Sequence, residues 1–220
     1  MLEKLIRLYG PSSHENSVAD FIENELQGLA EVKRDCMGNI IAHIPGEGKK
    51  IMLAAHMDEI GIMVTFIDDN GFLRFAPVGG LAKFAILYTR VKFPSGKVGV
   101  ISYPEKTEAK NLKISDMYID IGASSREEAE KFVSIGDMAE FDSTYYTDGN
   151  IITSGKLDDR LGCYILIELA KRVKKPFCDL YLAFTVQEEI GLRGAVTATF
   201  GVEPDIAVAV DVTDTGDTPG

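Results

Sequence analysis

The sequence has no tryptophan, only three cysteines and only three histidines. Without tryptophan, and with 9% aromatics overall, it is poorly supplied with the stacking platforms of a polysaccharide-binding cleft. Cys36, Cys163 and Cys178 are odd in number and follow no CxxC spacing. That pattern points to a reduced, cytoplasmic protein with buried thiols rather than a disulfide scaffold. No apolar run reaches the roughly 20 residues of a membrane span. Met1-Leu2-Glu3-Lys4-Leu5 lacks the basic stretch and apolar core of a secretion signal. Basic residues are outnumbered, 23 against 34 acidic ones, for a net charge of −11. Nucleic acid and anionic membrane are therefore unsuitable partners, whereas clustered carboxylates would suit cations. The 220 residues, 45% of them hydrophobic, supply material for one large or two modest domains with a real core.

Periodicity divides the chain. Leu2, Leu5, Ile6 and Leu8 form a helical stripe up to the turn Gly10-Pro11-Ser12-Ser13. Ser13 is positioned to cap a second helix carrying Val18, Phe21, Ile22, Leu26 and Leu29. Strands follow at 32–35, 40–44 and 51–55, the last apolar throughout, as in a strand covered on both faces. Short β-type pieces dominate 66–152, including 72–75, 88–93, 97–103 and 137–141, with one helical signal at 125–131. A helix over 160–173, ended by Pro176, precedes apolar strands at 180–186 and 206–210, with a short helix at 194–200 between them. The reading is an α/β domain made of residues 1–65 and 153–220, interrupted by a β-rich domain over 66–152.

The polar residues fall at informative places. Ala54-Ala55 runs into His56-Met57-Asp58-Glu59, Thr185-Val186 into Gln187-Glu188-Glu189, and Ala209-Val210 into Asp211. Asp158-Asp159 sits in a turn just before a helix. Ligands of open α/β sheets bind beyond the carboxyl ends of strands, so four such clusters can share one crevice. Converging carboxylates repel one another, and a cation resolves the repulsion. One imidazole with several carboxylates suits a borderline divalent ion such as zinc, cobalt or manganese. Of the paired Glu188 and Glu189, one can bind metal while the other moves protons. Asp58, two residues beyond His56, can accept the second imidazole N–H. Taken singly, each piece also has an ordinary structural role, Asp158-Asp159 as a helix cap for example. The joint placement carries the inference.

The segments His56-Met57-Asp58-Glu59-Ile60-Gly61, Lys156-Leu157-Asp158-Asp159-Arg160-Leu161-Gly162-Cys163, Gln187-Glu188-Glu189-Ile190-Gly191-Leu192-Arg193-Gly194-Ala195 and Asp211-Val212-Thr213 resemble the M42 metallopeptidases. That family comprises glutamyl and deblocking aminopeptidases, tetrahedral assemblies among them, and members named endoglucanases. The resemblance implies a mixed sheet flanked by helices, of zinc-peptidase type, with a small mostly-β insert to which Tyr118–Ala123 would belong. It implies two divalent cations, zinc or cobalt with manganese also compatible. His56, Asp158 and Asp211 would hold the first, and Asp158 would bridge to a second held by Glu189. Glu188 would be the general base, Asp58 the partner of His56, and the Asp158–Asp159 peptide cis. Implied substrates are short peptides with a free N-terminus, and implied partners are further copies of the chain, as a dimer or a larger shell. Two departures stand out. Ser13 replaces a frequent glycine, beside a His14 read as a loop residue. The family also continues beyond the equivalent of Thr218-Pro219-Gly220 and supplies a second histidine there. The resemblance thus implies that the C-terminal part of the fold is missing and that the second cation, left with Asp158 and Glu189, is held more weakly.

The rival enzyme class is a carboxylate-pair glycosidase, but adjacent Glu188 and Glu189 cannot flank a glycosidic bond from opposite sides. The same residues are also compatible with an amidohydrolase or deacylase built on this metal site, or with an inactive metal-binding fragment.

Overall fold

Leu2, Leu5 and Ile6 recur on one side of α1 (Leu2–Arg7) and are buried; Val18, Ala19, Ile22 and Leu26 do the same for α2 (Asn16–Leu26). In the computed structural model, which describes residues 1–217, Ser13 does not cap α2. Ser13 takes a left-handed conformation (φ 74°) and donates its N–H to the side chain of Glu15, which occupies the cap position itself. Residues 218–220, where the family resemblance ends, lie outside the described residues.

Three strands follow: β1 (Glu31–Arg34), β2 (Ile40–Ile44) and β3 (Lys50–His56). The chain then builds a separate unit, Glu59–Asp142. Its strands are β4 (Gly61–Ile67), β5 (Leu73–Val78), β6 (Arg90–Lys92), β7 (Val98–Ser102), β8 (Tyr118–Asp120) and β9 (Met138–Phe141). They close into a barrel in the order β4-β5-β8-β7-β6-β9. Closure removes the exposed sheet edges, and alternate residues such as Ile62, Val64, Val91, Ile101, Ile119 and Ala139 fill the interior. The helical signal at 125–131 is α3 (Arg126–Ala129), capped by the Ser125 hydroxyl, which accepts the Glu128 N–H.

The boundaries expected after residues 65 and 152 fall instead after Asp58 and Asp142. β4, not expected as a strand of its own, pairs with both β5 and β9 and is needed to close the barrel. The hairpin β10 (Tyr146–Thr147) and β11 (Ile152–Thr153) belongs to the first unit, with Met1–Asp58.

That unit continues with α4 (Leu157–Arg172), β12 (Asp179–Thr185), α5 (Arg193–Val202) and β13 (Ile206–Ala209). Asp158 and Asp159 have non-helical backbone, so the regular helix starts at Arg160. It ends at Arg172, ahead of the stop expected from Pro176, because Val173 is already extended. The sheet is mixed, in the order β1-β2-β12-β3-β13. β12, β3 and β13 run parallel, while β2 lies antiparallel to β12 and to β1. One face holds the main core, with Leu5, Ile22 and Leu26 against Ile40, Leu182 and Phe184 and against Leu166 and Ile167 of α4. On the other, Ala198 and Val202 of α5 meet Met52 and Ala183. Burying each large side chain here contributes about 1.5–3 kcal/mol. Cys163 and Cys178 are buried thiols, but Cys36, in the turn after β1, is exposed. Among the described residues, no helix is long and apolar enough to cross a membrane.

Candidate metal centre

Register brings the site together. β12 and β3 pair in parallel with Thr185 opposite His56, and β13 pairs with β3 up to Ala209 opposite Ala54. Three parallel strands therefore end side by side, about 4.8 Å apart. The residues that follow them, Glu188-Glu189, His56 and Asp211, emerge at one end of the sheet, as ligand sites of such sheets do. The N-terminal turn of α4 brings Asp158 and Asp159 to the same end, and the peptide between them is cis.

His56 is buried at the centre. Its Nε2 lies 2.9 Å from Asp158 Oδ1 and 3.9 Å from both Glu188 Oε2 and Asp211 Oδ1. Its Nδ1 faces Asp58, 3.1 Å from the backbone oxygen and 3.4 Å from Oδ1. The main chain of His56 is fixed as well: its N–H donates to Asp159 Oδ2 and its carbonyl accepts from the Cys163 thiol. His56, Asp158 and Glu189 offer donor atoms within 4.8 Å of one another, and so do His56, Asp159 and Asp211. All six residues singled out in the sequence thus meet here. Asp158 falls with Glu189, as the resemblance implies, but Asp211 groups with Asp159 rather than with Asp158.

The electrostatics favour a cation. Burial opposes an imidazolium, yet its hydrogen bonds to the Asp158 and Asp58 carboxylates outweigh that and hold His56 up to about 11. Burial pushes Glu189 up to about 7, with Asp158, Asp58 and Glu188 adding to the shift against the pull of His56. Burial likewise lifts Asp159 to about 7, although His56 and the Gly162 N–H pull it down. A single imidazole among so many carboxylates leaves surplus negative charge, which a divalent ion would neutralise. An imidazole–carboxylate donor set fits a borderline metal. The buried Cys163 thiol, its pKa raised by desolvation, is taken up with the His56 carbonyl and offers no thiolate.

Several contacts that shape the site join segments far apart in the sequence and carry no local signal there. Asp58, fully buried, accepts the Ser12 hydroxyl (2.6 Å) and the N–H groups of Glu188 (2.9 Å) and Glu189 (3.2 Å). Glu15 accepts the Gln187 N–H at 3.0 Å, and Asn39 accepts the Val186 N–H at 2.9 Å. Ser12 and Asn39 look like ordinary turn residues, because their partners are 46 and 147 positions away. Asp159 stands out only as the neighbour of Asp158. Neither other histidine takes part: His14 is exposed, edge-on to Tyr9, and His43 on β2 bonds Asp179 and stacks on Tyr181.

Comparison with known proteins gives a consistent result. A family profile described as M42 glutamyl aminopeptidase matches residues 38–220. A protein of Acetivibrio thermocellus that bears an aminopeptidase name is 52% identical over all of this chain and 67% of its own length. The structure of aminopeptidase APDkam598 from the archaeon Desulfurococcus kamchatkensis superimposes with a TM-score of 0.92 at 39% identity, covering 100% of this chain and 64% of that one. The TET1 peptidase of Pyrococcus horikoshii, described as assembling into a tetrahedron or a large octahedral shell, gives 0.86 at 33% identity, covering 99% and 71%. The chain thus spans about two thirds of the length of the relatives it matches.

Proposed function

The chain belongs to the M42 glutamyl aminopeptidase family, and from that premise we propose that it serves a metal-dependent aminopeptidase that removes the N-terminal residue of short peptides. The observation that carries this reading is the convergence of His56, Asp158, Glu189 and Asp211 from separate segments onto one end of the sheet. By the family resemblance His56, Asp158 and Asp211 would hold one cation, zinc or cobalt, and Asp158 and Glu189 a second, while the donor atoms of this structure group Asp211 with Asp159.

Bound divalent ions supply Lewis acidity, which lowers the pKa of a water and polarises the scissile carbonyl. The chain's own groups do the rest. Glu188 Oε2 lies 3.9 Å from His56 Nε2. Burial, then Asp58, Asp211 and Asp158, raise its carboxyl above the usual range against the opposing pull of His56. A carboxyl so raised suits a group that takes a proton from water and returns it to the leaving amine. Asp58 orients the imidazole from one side and holds the Glu188-Glu189 turn from the other. Asp159 fixes the backbone of His56. The likeness to TET1 supports self-assembly into a homo-oligomer, and the odd number and wide spacing of the cysteines suit a cytoplasmic setting.

The test uses purified chain, metal-free or supplied with Co²⁺ or Zn²⁺. Substrates are aminoacyl p-nitroanilides, their N-acetylated forms and soluble cellulose. Metal-dependent release from free-amine substrates alone is expected, with Glu188→Gln slower by at least about a hundredfold. Hydrolysis of only the acetylated substrates, or release of sugar, would replace this reading with a deacylase or a glycosidase.

A further inference from the structure

Strand β12 ends at Thr185, so the next four N–H groups have no ladder partner on this stretch of sheet. Each finds a side-chain acceptor instead. Val186 N–H goes to Asn39 Oδ1, Gln187 N–H to Glu15 Oε1, Glu188 N–H to Asp58 Oδ1 and Glu189 N–H to Asp58 Oδ2. Gln187 is left-handed (φ 55°), a conformation unfavourable for a non-glycine residue that persists only where its surroundings impose it. The turn at Gln187 aims Glu188 and Glu189 at His56.

Asp58 and Asn39 grip the two ends of this tip, and Glu15 takes the N–H of the left-handed residue, whose carbonyl accepts the Arg193 N–H. The Glu15 carboxylate oxygen Oε1 also accepts the N–H of Ser13, itself left-handed (φ 74°). One buried oxygen thereby ties together two strained turns that are remote in sequence. The platform behind it is firm, because Glu15 is the cap residue of α2, whose Val18, Ile22 and Leu26 are fully buried in the main core.

We propose that Glu15 is a positioning residue for the acid pair: through the Gln187 N–H it holds the left-handed turn that places Glu188 and Glu189 against His56. The proposal rests on the metallopeptidase reading for what the pair does, but the placement itself is measurable without metal or substrate. Glutamine at position 15 keeps an oxygen acceptor for both N–H groups, whereas alanine removes it.

The experiment compares Glu15→Ala and Glu15→Gln with the unaltered chain by amide hydrogen exchange in the metal-free state, then by Co²⁺ titration. In Glu15→Ala, exchange over 186–189 should accelerate about tenfold, the equivalent of one lost hydrogen bond to a charged acceptor, with α2 and β12 unchanged. Co²⁺ affinity should fall roughly ten- to a hundredfold, as when the outer partners of metal ligands are removed. Glu15→Gln should restore both. Unchanged exchange at the tip in Glu15→Ala overturns the proposal. So does acceleration spread through α2 and β12, or equal losses in the glutamine variant, since either would make Glu15 a general packing residue. Failure of the unaltered chain to take up Co²⁺ would remove the metallopeptidase reading, and the exchange data would still decide the role of Glu15.

Discussion

Replacing Asp58 gives the most demanding check on how the centre is built. The side chain is fully buried, and both its oxygens are committed. Oδ1 accepts the Glu188 N–H, and Oδ2 accepts the Ser12 hydroxyl and the Glu189 N–H. Burial alone would raise its pKa, but His56, the Ser12 hydroxyl and the Glu188 N–H outweigh it and hold the carboxyl below its ordinary value. The group is therefore ionised at neutral pH. Hydrogen bonds to a charged acceptor contribute about 1.5–3 kcal/mol each. The two N–H donors are only partly buried and regain some water when released. Asp58→Ala should therefore cost about 3–5 kcal/mol, the range for breaking a buried charged network. Asp58→Asn should cost less. Its amide nitrogen can donate to Ser12, whose hydroxyl can rotate, but it still faces the Glu189 N–H donor to donor, at a cost of about 1–3 kcal/mol. Urea denaturation followed by far-UV circular dichroism, with α2 and α4 reporting on this unit, measures both. A loss below about 1 kcal/mol in Asp58→Ala, or a larger loss in the asparagine variant than in alanine, would refute the reasoning.

Other consequences are simpler to check. A Cβ on Gly194 would stand 2.3 Å from the Val186 carbonyl and 2.4 Å from Asn39 Oδ1. Gly194→Ala should therefore lose about 1–3 kcal/mol and several degrees of melting temperature; an unchanged melting curve contradicts the close approach. The Asp179 carboxyl, 2.7 Å from His43 Nε2, is held below its ordinary value chiefly by that hydrogen bond, against partial burial. A depressed carboxylate contributes stability that is present above its unfolded value, 3.8, and lost as pH falls through the lower folded value. The stability gap between the unaltered chain and Asp179→Asn should accordingly be full above about pH 5 and close as the pH falls below 3.8, and a gap that widens on acidification through that range would show the sign to be wrong. Of the three thiols, only Cys36 is exposed. Ellman's reagent should find one fast thiol in the native chain, absent from Cys36→Ser, and three after denaturation.

The sequence was legible where one segment carries its own pattern. The apolar run at β3 ending in His56, and the matching ends of β12 and β13, were enough to foresee that His56, Glu188, Glu189 and Asp211 gather at one end of the sheet. Parallel register then put Thr185 beside His56, as a sheet of that type requires. Illegible features depend on contacts between distant segments. Most of Gly61–Ile67 falls within the first domain on sequence alone, until its pairing with β5 and β9 assigns it to the barrel. Ser13 has the chemistry of a cap, but the deeper demand of Glu15 for its N–H turns it left-handed. Nothing local in Glu15 or Asn39 announces that each will hold the turn before the acid pair.

The central claim is that His56 and the carboxylates around it form a metal centre. Titrating Co²⁺ into the metal-free chain, with calorimetry and the visible spectrum read together, tests it most directly. The unaltered chain should take up Co²⁺, and His56→Ala, which removes the donor common to both groups, should lose most of that uptake. No uptake by the unaltered chain, or the same binding curve from His56→Ala, would contradict the account.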